Sequence, residues 1–306
     1  MEMFAPAFAA TSASEISQAL AKDGFFSMEG ALSPEFIGRL IADVASHPFA
    51  VNRNWIGGVY AERQYYLTHM LACSQAFCDL VTDPKIFDVC DEALGKDYRL
   101  KAMRYYETYG GHHMPWHTDN KTDKAFAEIP GIIFIAYLQD IAEGEFQYVR
   151  GSHLFSGAKA YNYYSDEYIE KNHAGDVVSF TGRKGTIVIY NTYGIHRARP
   201  VTQRSFVRRS LFFQVDADCN SAEPILLNPA FFGKLDAKTG RYLGFGLPAE
   251  YDVFPNTSQD ILPLGRISVK TTVRWLSYRM ARTVYSLLPA RSKVWVRTLM
   301  KKNVPQ

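Results

Sequence analysis

His117 and Asp119 stand one residue apart in "MPWHTDN". In an extended segment, residues two apart point to the same face, so both side chains can reach one ion from a strand end. Two protein ligands are too few for a stable site. "GTIVIYNTYGIHRARP" offers a third: an apolar strand ends and His196 follows at once. Two histidines and one carboxylate on one side of a metal leave the opposite positions open, as in non-haem Fe(II) oxygenases. Those positions can take a bidentate cosubstrate and O2. A chelating 2-oxo acid has a second carboxylate that must be neutralised if buried, and the planar fork of arginine matches it. Arg208 follows His196 on the next apparent strand, "RRSLFFQVD", and Ser210 shares its face. Arg209 should face the other side. Tyr106, on the strand before the His-x-Asp, can face the cosubstrate or serve as a core aromatic.

Other residues compete for these roles. His112 and His113 are nearby, but Pro115 breaks any helix that would pair His113 with His117, so they read as pocket lining or surface. His153 reads as the cap of a Gly-Ser-His turn. A zinc hydrolase on the same ligands would not need Arg208, and no further carboxylate is placed as general base.

The chain must hold these residues on distant strands. "LSPEFIGRLIADVASHP" reads as a helix, with Ser33 as cap, Pro34 at the first position, and Phe36, Ile37, Leu40, Ile41 and Val44 on one face. Further helices are expected from about Tyr65 to Leu80 and over "PKIFDVCDEALG". From about Arg99 the texture changes to short apolar or alternating runs bounded by Gly, Pro, Asn or Asp, which suggests a sandwich or barrel. The expected organisation is one domain over 1–262: a helical N-terminal part (1–98), a β core (99–217) and an extension (218–262). A basic helical tail follows over 263–306.

Just under half of the 306 residues are apolar, enough for a sizeable core, and the net charge of +3 gives no global sign of nucleic-acid binding. Cys73, Cys78, Cys90 and Cys219 form no metal spacing and read as buried thiols in a reducing compartment. "MEMFAPAFAATSA" lacks a basic leader, and no apolar run approaches the roughly 20 residues of a spanning helix. A cytoplasmic location is therefore expected.

Over residues 16–217 the sequence resembles the phytanoyl-CoA dioxygenase family of Fe(II)/2-oxoglutarate oxygenases. The resemblance rests on "LAKDGFFSMEGALSPEFIGRL", "WHTDN", "AYLQDIAEGEFQYVRGSH", "GTIVIYNTYGIHRARP" and "RRSLFF". It implies a double-stranded β-helix, a jelly-roll variant, with N-terminal helices packed on it. It also implies Fe(II) on His117, Asp119 and His196, 2-oxoglutarate on Arg208 and Ser210, O2 as co-reactant, and hydroxylation of an unactivated C–H as the reaction. Arg150 stands where the family usually has Pro, and Ala198 where some members have Ser. Asp119 is present, unlike in the halogenase variant. An alternative reading is a jelly roll without chemistry that binds a ligand, membrane or partner.

The substrate is less legible. Arg53, Trp55 and Arg63 in "VNRNWIGGVYAERQYY" can meet an anionic or aromatic group, and "AYNYYSDEY" can form a lid or simply cover the sheet. After Asp260 no acidic residue occurs, while Arg266, Lys270, Arg274, Arg279, Arg282, Arg291, Lys293, Arg297, Lys301 and Lys302 accumulate. Val269, Val273, Leu276, Met280, Val284 and Leu287 recur at helical spacing, and Trp275, Tyr278, Tyr285 and Trp295 add amphipathic rings. Such a helix can lie on an anionic membrane or pack on the β core. A membrane contact would favour a lipid or lipid-linked substrate over another small molecule.

Overall fold

A computed structural model describes residues 2–46, 58–61, 64–112, 114–119, 130–155, 163–203, 205–217, 222, 225–233, 235–247 and scattered positions between 273 and 292. The chain divides into two compact units, Met1–Phe254 and Pro255–Gln306.

The first unit opens with α1 (Pro6–Ala10) and α2 (Ala13–Asp23), then β1 (Phe25–Met28) and α3 (Pro34–Ser46). It continues through β2 (Gly58–Ala61), β3 (Gln64–Leu67), α4 (Met70–Cys73), α5 (Gln75–Val81) and α6 (Pro84–Leu94). The β-rich part comprises β4 (Arg99–Tyr109), β5 (Trp116–His117), β6 (Gly131–Tyr137), β7 (Ile141–Val149) and β8 (Tyr163–Tyr164). After α7 (Asp166–His173) come β9 (Val177–Gly182), β10 (Ile187–Asn191), β11 (His196–Ala198) and β12 (Val207–Asp216). The unit also holds α8 (Ala237–Tyr242).

The strands form two antiparallel sheets, one ordered β1-β10-β6-β12-β4-β3-β2 and one ordered β8-β5-β11-β7-β9. This is the jelly roll expected from the sequence. Strand alternation gives the larger sheet two apolar faces. Ile132, Phe134, Ile187, Ile189, Leu211 and Phe213 pack with the helices. Ile133, Tyr137, Val188 and Tyr190 pack with Phe146, Tyr148 and Phe180 of the smaller sheet. The site lies within this inner layer.

The N-terminal part is not purely helical. It supplies β1 at one edge of the larger sheet and β2 and β3 at the other. The helix expected from Tyr65 begins only at Met70. Gln64–Leu67 instead pairs with β4, from Gln64↔Thr108 to Leu67↔Tyr105, because adjacent tyrosines fit a pleated surface. Ser74 then ends one short helix and caps the next, accepting from Phe77 N and donating to Asp43 Oδ2. Ser33 caps α3 through Phe36 N, and Gly24 ends α2 in the left-handed region at φ 87°. Cys73, Cys78 and Cys90 are buried free thiols, and burial pushes the Cys73 pKa up to about 12. Cys219 lies outside the described residues.

Candidate active site

β5 is only two residues long, yet it lies between two strands. It pairs His117↔His196 on β11 and His117↔Tyr163 on β8. That register places the two imidazoles side by side, with ring centroids 4.4 Å apart. Asp119 leaves the strand end, and its backbone N–H donates to Thr192 O at 3.1 Å. Its Oδ2 lies 3.2 Å from His196 Nε2 and its Oδ1 3.7 Å from His117 Nε2. One donor atom from each of the three residues falls within 4.8 Å of the others.

Both histidines make the same second contact. His117 Nδ1 lies 2.9 Å from Pro115 O, and His196 Nδ1 lies 2.9 Å from Gly194 O. A carbonyl can only accept, so each Nδ1 carries a proton and Nε2 is the nitrogen that each ring turns to the site. Burial works against the Asp119 charge. Positive charge on the His196 and His117 imidazoles, with hydrogen bonds donated by His196 and by the Tyr190 hydroxyl, outweighs it and holds the carboxyl at about 2. Two imidazole nitrogens and a carboxylate fit a divalent transition metal, with positions left open opposite them.

These residues line a cavity of about 130 Å³ that also contains Tyr106, Ala198, Arg208 and Ser210. Strand parity turns Arg208, Ser210 and Phe212 into this cavity. Arg209 faces away, with its Nε 3.5 Å from Glu107 Oε1. Arg208 is buried, and burial disfavours its charge. It donates Nη1 to Gly144 O and Nη2 to Thr108 Oγ1 at 3.2 Å, while among the described residues Nε–H has no acceptor. Among the described residues no carboxylate forms an ion pair with it. The nearby Glu145 instead pairs with Arg199 at 3.1 Å. A buried guanidinium so placed calls for an anion.

The competing histidines do not join the cluster. His112 is buried elsewhere, and His153 Nε2 lies 3.1 Å from Ala21 O at the end of α2. His113, Arg53, Trp55 and Arg63 lie outside the described residues.

Further polar residues of the site escaped the sequence reading, Tyr190, Thr108 and Gln64 among them. Tyr190 Oη lies 3.3 Å from Asp119 Oδ2 and 3.4 Å from His196 Nε2, its ring beside Phe146. Thr108 Oγ1 accepts from both Arg208 and Gln64 Nε2, and Gln64 lines the cavity. Parity was the usable signal: Thr108 shares a strand face with Tyr106, and Tyr190 points inward with Val188.

Solved structures share the fold. The non-haem α-ketoglutarate-dependent carbocyclase SnoK from nogalamycin biosynthesis matches at TM-score 0.54 and 18% identity, over 69% of this chain and 87% of that one. EctD from S. alaskensis, solved with 2-oxoglutarate and 5-hydroxyectoine, matches at 0.55 and 18%, over 76% and 86%. HygX from Streptomyces hygroscopicus, solved with nickel, 2-oxoglutarate and hygromycin B, matches at 0.52 and 16%, over 66% and 86%. No curated protein matches the sequence. A family model described as phytanoyl-CoA dioxygenase matches residues 20–210, a span that runs from α2 into β12 and includes the His-Asp-His cluster and Arg208. The chain therefore belongs to the phytanoyl-CoA dioxygenase family and is an Fe(II)- and 2-oxoglutarate-dependent oxygenase.

Proposed function

We propose that this oxygenase hydroxylates an unactivated C–H bond of a small or lipid-related molecule, with His117, Asp119 and His196 holding iron. Arg208 then takes the far carboxylate of 2-oxoglutarate, supported by Ser210 and Thr108, with Tyr106 along its side. The observation that carries this reading is Arg208: a buried arginine without a carboxylate partner among the described residues, in the same cavity as three convergent candidate metal donors. Bound iron would activate O2, the oxidant, which would give one oxygen atom to 2-oxoglutarate as it becomes succinate and CO2 and the other to the substrate C–H. The chain positions and excludes. The Nε2 lone pairs and the Asp119 carboxylate fix the metal on one side, and Tyr190 restrains that carboxylate. Phe146, Ile135 and Phe212 keep the cavity wall apolar. Such a wall suits the hydrocarbon part of a substrate and keeps water from the reacting carbon. Anaerobic addition of Fe(II) and 2-oxoglutarate should give a weak visible charge-transfer band, lost in His117→Ala and His196→Ala. Absence of the band, with no succinate formed across acyl thioesters, amino acids, terpenoids and lipid-linked sugars, would overturn the reading.

For residues 263–306 we propose contact with an anionic lipid surface. The tail carries its ten basic residues without one acidic residue. Val273, Leu276, Met280, Val284 and Leu287 have helical backbone and exposed side chains, at a spacing that makes one stripe. The basic residues among them lie outside the described residues. Among the described residues no helix is long and apolar enough to cross a membrane, so the contact would be peripheral. The full chain should float with anionic vesicles at low salt and a chain ending near Leu262 should not. Equal recovery of both in the soluble fraction would end the idea.

A further inference from the structure

Behind the two histidines, on the outer face of the smaller sheet, a chain of polar contacts crosses every strand but β8. Ser179 on β9 accepts from Gln147 Nε2 on β7 at 2.8 Å. Gln147 Oε1 accepts from Arg197 Nε on β11 at 2.8 Å. The Arg197 guanidinium lies over the Trp116 ring on β5, 4.3 Å from its centroid. Asp166 Oδ1, at the first position of α7, closes the chain by accepting from both Arg197 Nη1 and Trp116 Nε1, the latter at 3.0 Å.

The two residues that Asp166 grips are the chain neighbours of the two histidines. Trp116 precedes His117, and Arg197 follows His196. β5 has only two residues with which to keep its place, so its backbone pairing alone constrains His117 weakly. Trp116 is buried, while Asp166 is mostly exposed and so can be changed without opening a core. The segment that carries Asp166 also touches the site directly: β8 pairs with β5, and the Tyr163 ring stacks on His117 with centroids 6.3 Å apart. The segment rests on a small cluster of Trp116, Val149, Tyr164, Ile169 and Ile195, separate from the two larger cores. A segment held by so little apolar surface sits at the low-stability end of the fold.

We infer that Asp166 is a positioning residue, which sets the spacing of the two metal histidines from outside and couples docking of residues 163–173 to metal affinity. The inference rests on the His-Asp-His reading above. Its energetic content is reciprocal: whatever docking adds to metal affinity, metal adds to docking. Groups that hydrogen-bond a metal ligand directly change metal affinity by about 10- to 100-fold, and Asp166 acts one residue further out, so its effect falls at the lower end of that range.

The test uses Ni(II) alone with the full chain. Asp166→Asn keeps the shape and removes the charge. Glu167→Gln makes the same charge change one residue on, on an exposed side chain outside the chain of contacts. Circular dichroism checks that both fold. Wild type should bind Ni(II) and show slower amide exchange over 163–173 when it does. Asp166→Asn should bind about tenfold more weakly and lose that protection. Asp166→Glu should recover part of the affinity, and Glu167→Gln should match wild type. If wild type binds Ni(II) and Asp166→Asn binds it equally well, or if both charge variants weaken it alike, Asp166 has no positioning role. If wild type binds no Ni(II), the metal reading itself falls and this inference with it.

Discussion

Replacing Arg208 by Met separates a ligand-binding arginine from a structural one, because the two roles predict opposite signs of stability change. Arg208 is 6% exposed and has no ion-pair partner among the described residues. Burying such a charge is costly, and its bonds to Gly144 O and Thr108 Oγ1 offset only part of that cost. Methionine fills similar space without the charge. It leaves Gly144 O without that donor, at about 1 kcal/mol, while Thr108 keeps Gln64. Arg208→Met should therefore be as stable as wild type, or more so, when neither metal nor 2-oxoglutarate is present. Binding should change in the other direction. Losing the charge-assisted bonds to the far carboxylate costs about 3 kcal/mol, roughly hundredfold in Kd. Calorimetric titration of 2-oxoglutarate into Ni(II)-loaded protein measures this directly. Thermal unfolding gives a second measure. At 2-oxoglutarate concentrations 100 times the wild-type Kd, wild type should gain about 2.7 kcal/mol and the variant less than about 0.5 kcal/mol. An unchanged Kd would remove Arg208 from cosubstrate binding. A loss of several kcal/mol in the ligand-free variant would make Arg208 a structural post.

Tyr190→Phe keeps the ring against Phe146 and His196 and removes only the hydroxyl beside Asp119 Oδ2, so Ni(II) should bind about five- to tenfold more weakly with little change in Tm. An unchanged Ni(II) titration would leave Tyr190 a packing residue. A Cβ at Gly194 would fall 1.7 Å from Tyr148 Oη, and Gly194 O orients His196. Gly194→Ala should therefore destabilise the fold by about 1–3 kcal/mol or more in denaturant titration and weaken Ni(II) binding as well. Buried His69 is held neutral, its pKa brought down to about 4 by burial first and by Arg104 second. The unfolded chain takes up that proton below about 6.5 and the folded chain does not, so the contribution is intact above pH 6.5 and falls by roughly 3 kcal/mol towards pH 4. Denaturant titrations of His69→Gln over this range should show a shallower decline than wild type. Parallel curves would refute the assignment.

The parts of the fold legible in the sequence are those where one physical signal dominates. The long strands around Arg208 and before His196 read correctly because alternation and apolar runs extend over five or more residues. The helix after Ser33 read correctly because its cap and apolar face agree. β3 did not, because "QYYL" is too short to show a period and lies close to good helix formers. Its strand identity comes from β4, dozens of residues away in sequence. β5 and β8, at two residues each, carry no periodic signal at all. The His117–Asp119–His196 cluster was nonetheless legible, since His-x-Asp needs only local parity and His196 only a strand end. Tyr190 was hidden for the opposite reason. It sits within an apolar strand, where a tyrosine reads as packing, and only the crossing of two sheets brings its hydroxyl to Asp119.

The two halves of the site rest on unequal supports. Arg208 and Ser210 sit on β12, which pairs with β4 from Val207 to Asp216 and with β6 from Ser210 to Asp216. The other face of the larger sheet is sealed by the helix-packed core, with Leu211, Phe213 and Val215 among its buried residues. On the proposed function, a cosubstrate anchored there would be held by a strand that cannot shift without breaking two ladders and a core. The histidines sit on β5 and β11, of two and three residues, in the smaller sheet. Their positions depend on side-chain contacts: Nδ1 to a carbonyl two residues back in each case, and Trp116 and Arg197 held through Asp166. Geometry that must hold to a fraction of an ångström is best built on rigid elements with supporting contacts. In the roles proposed above, the larger sheet would supply rigidity at the carboxylate end and the polar chain on the outer face would supply it at the metal end. Substitutions on that outer face should therefore act on metal affinity before they act on 2-oxoglutarate affinity. Substitutions beneath β12 should act in the reverse order.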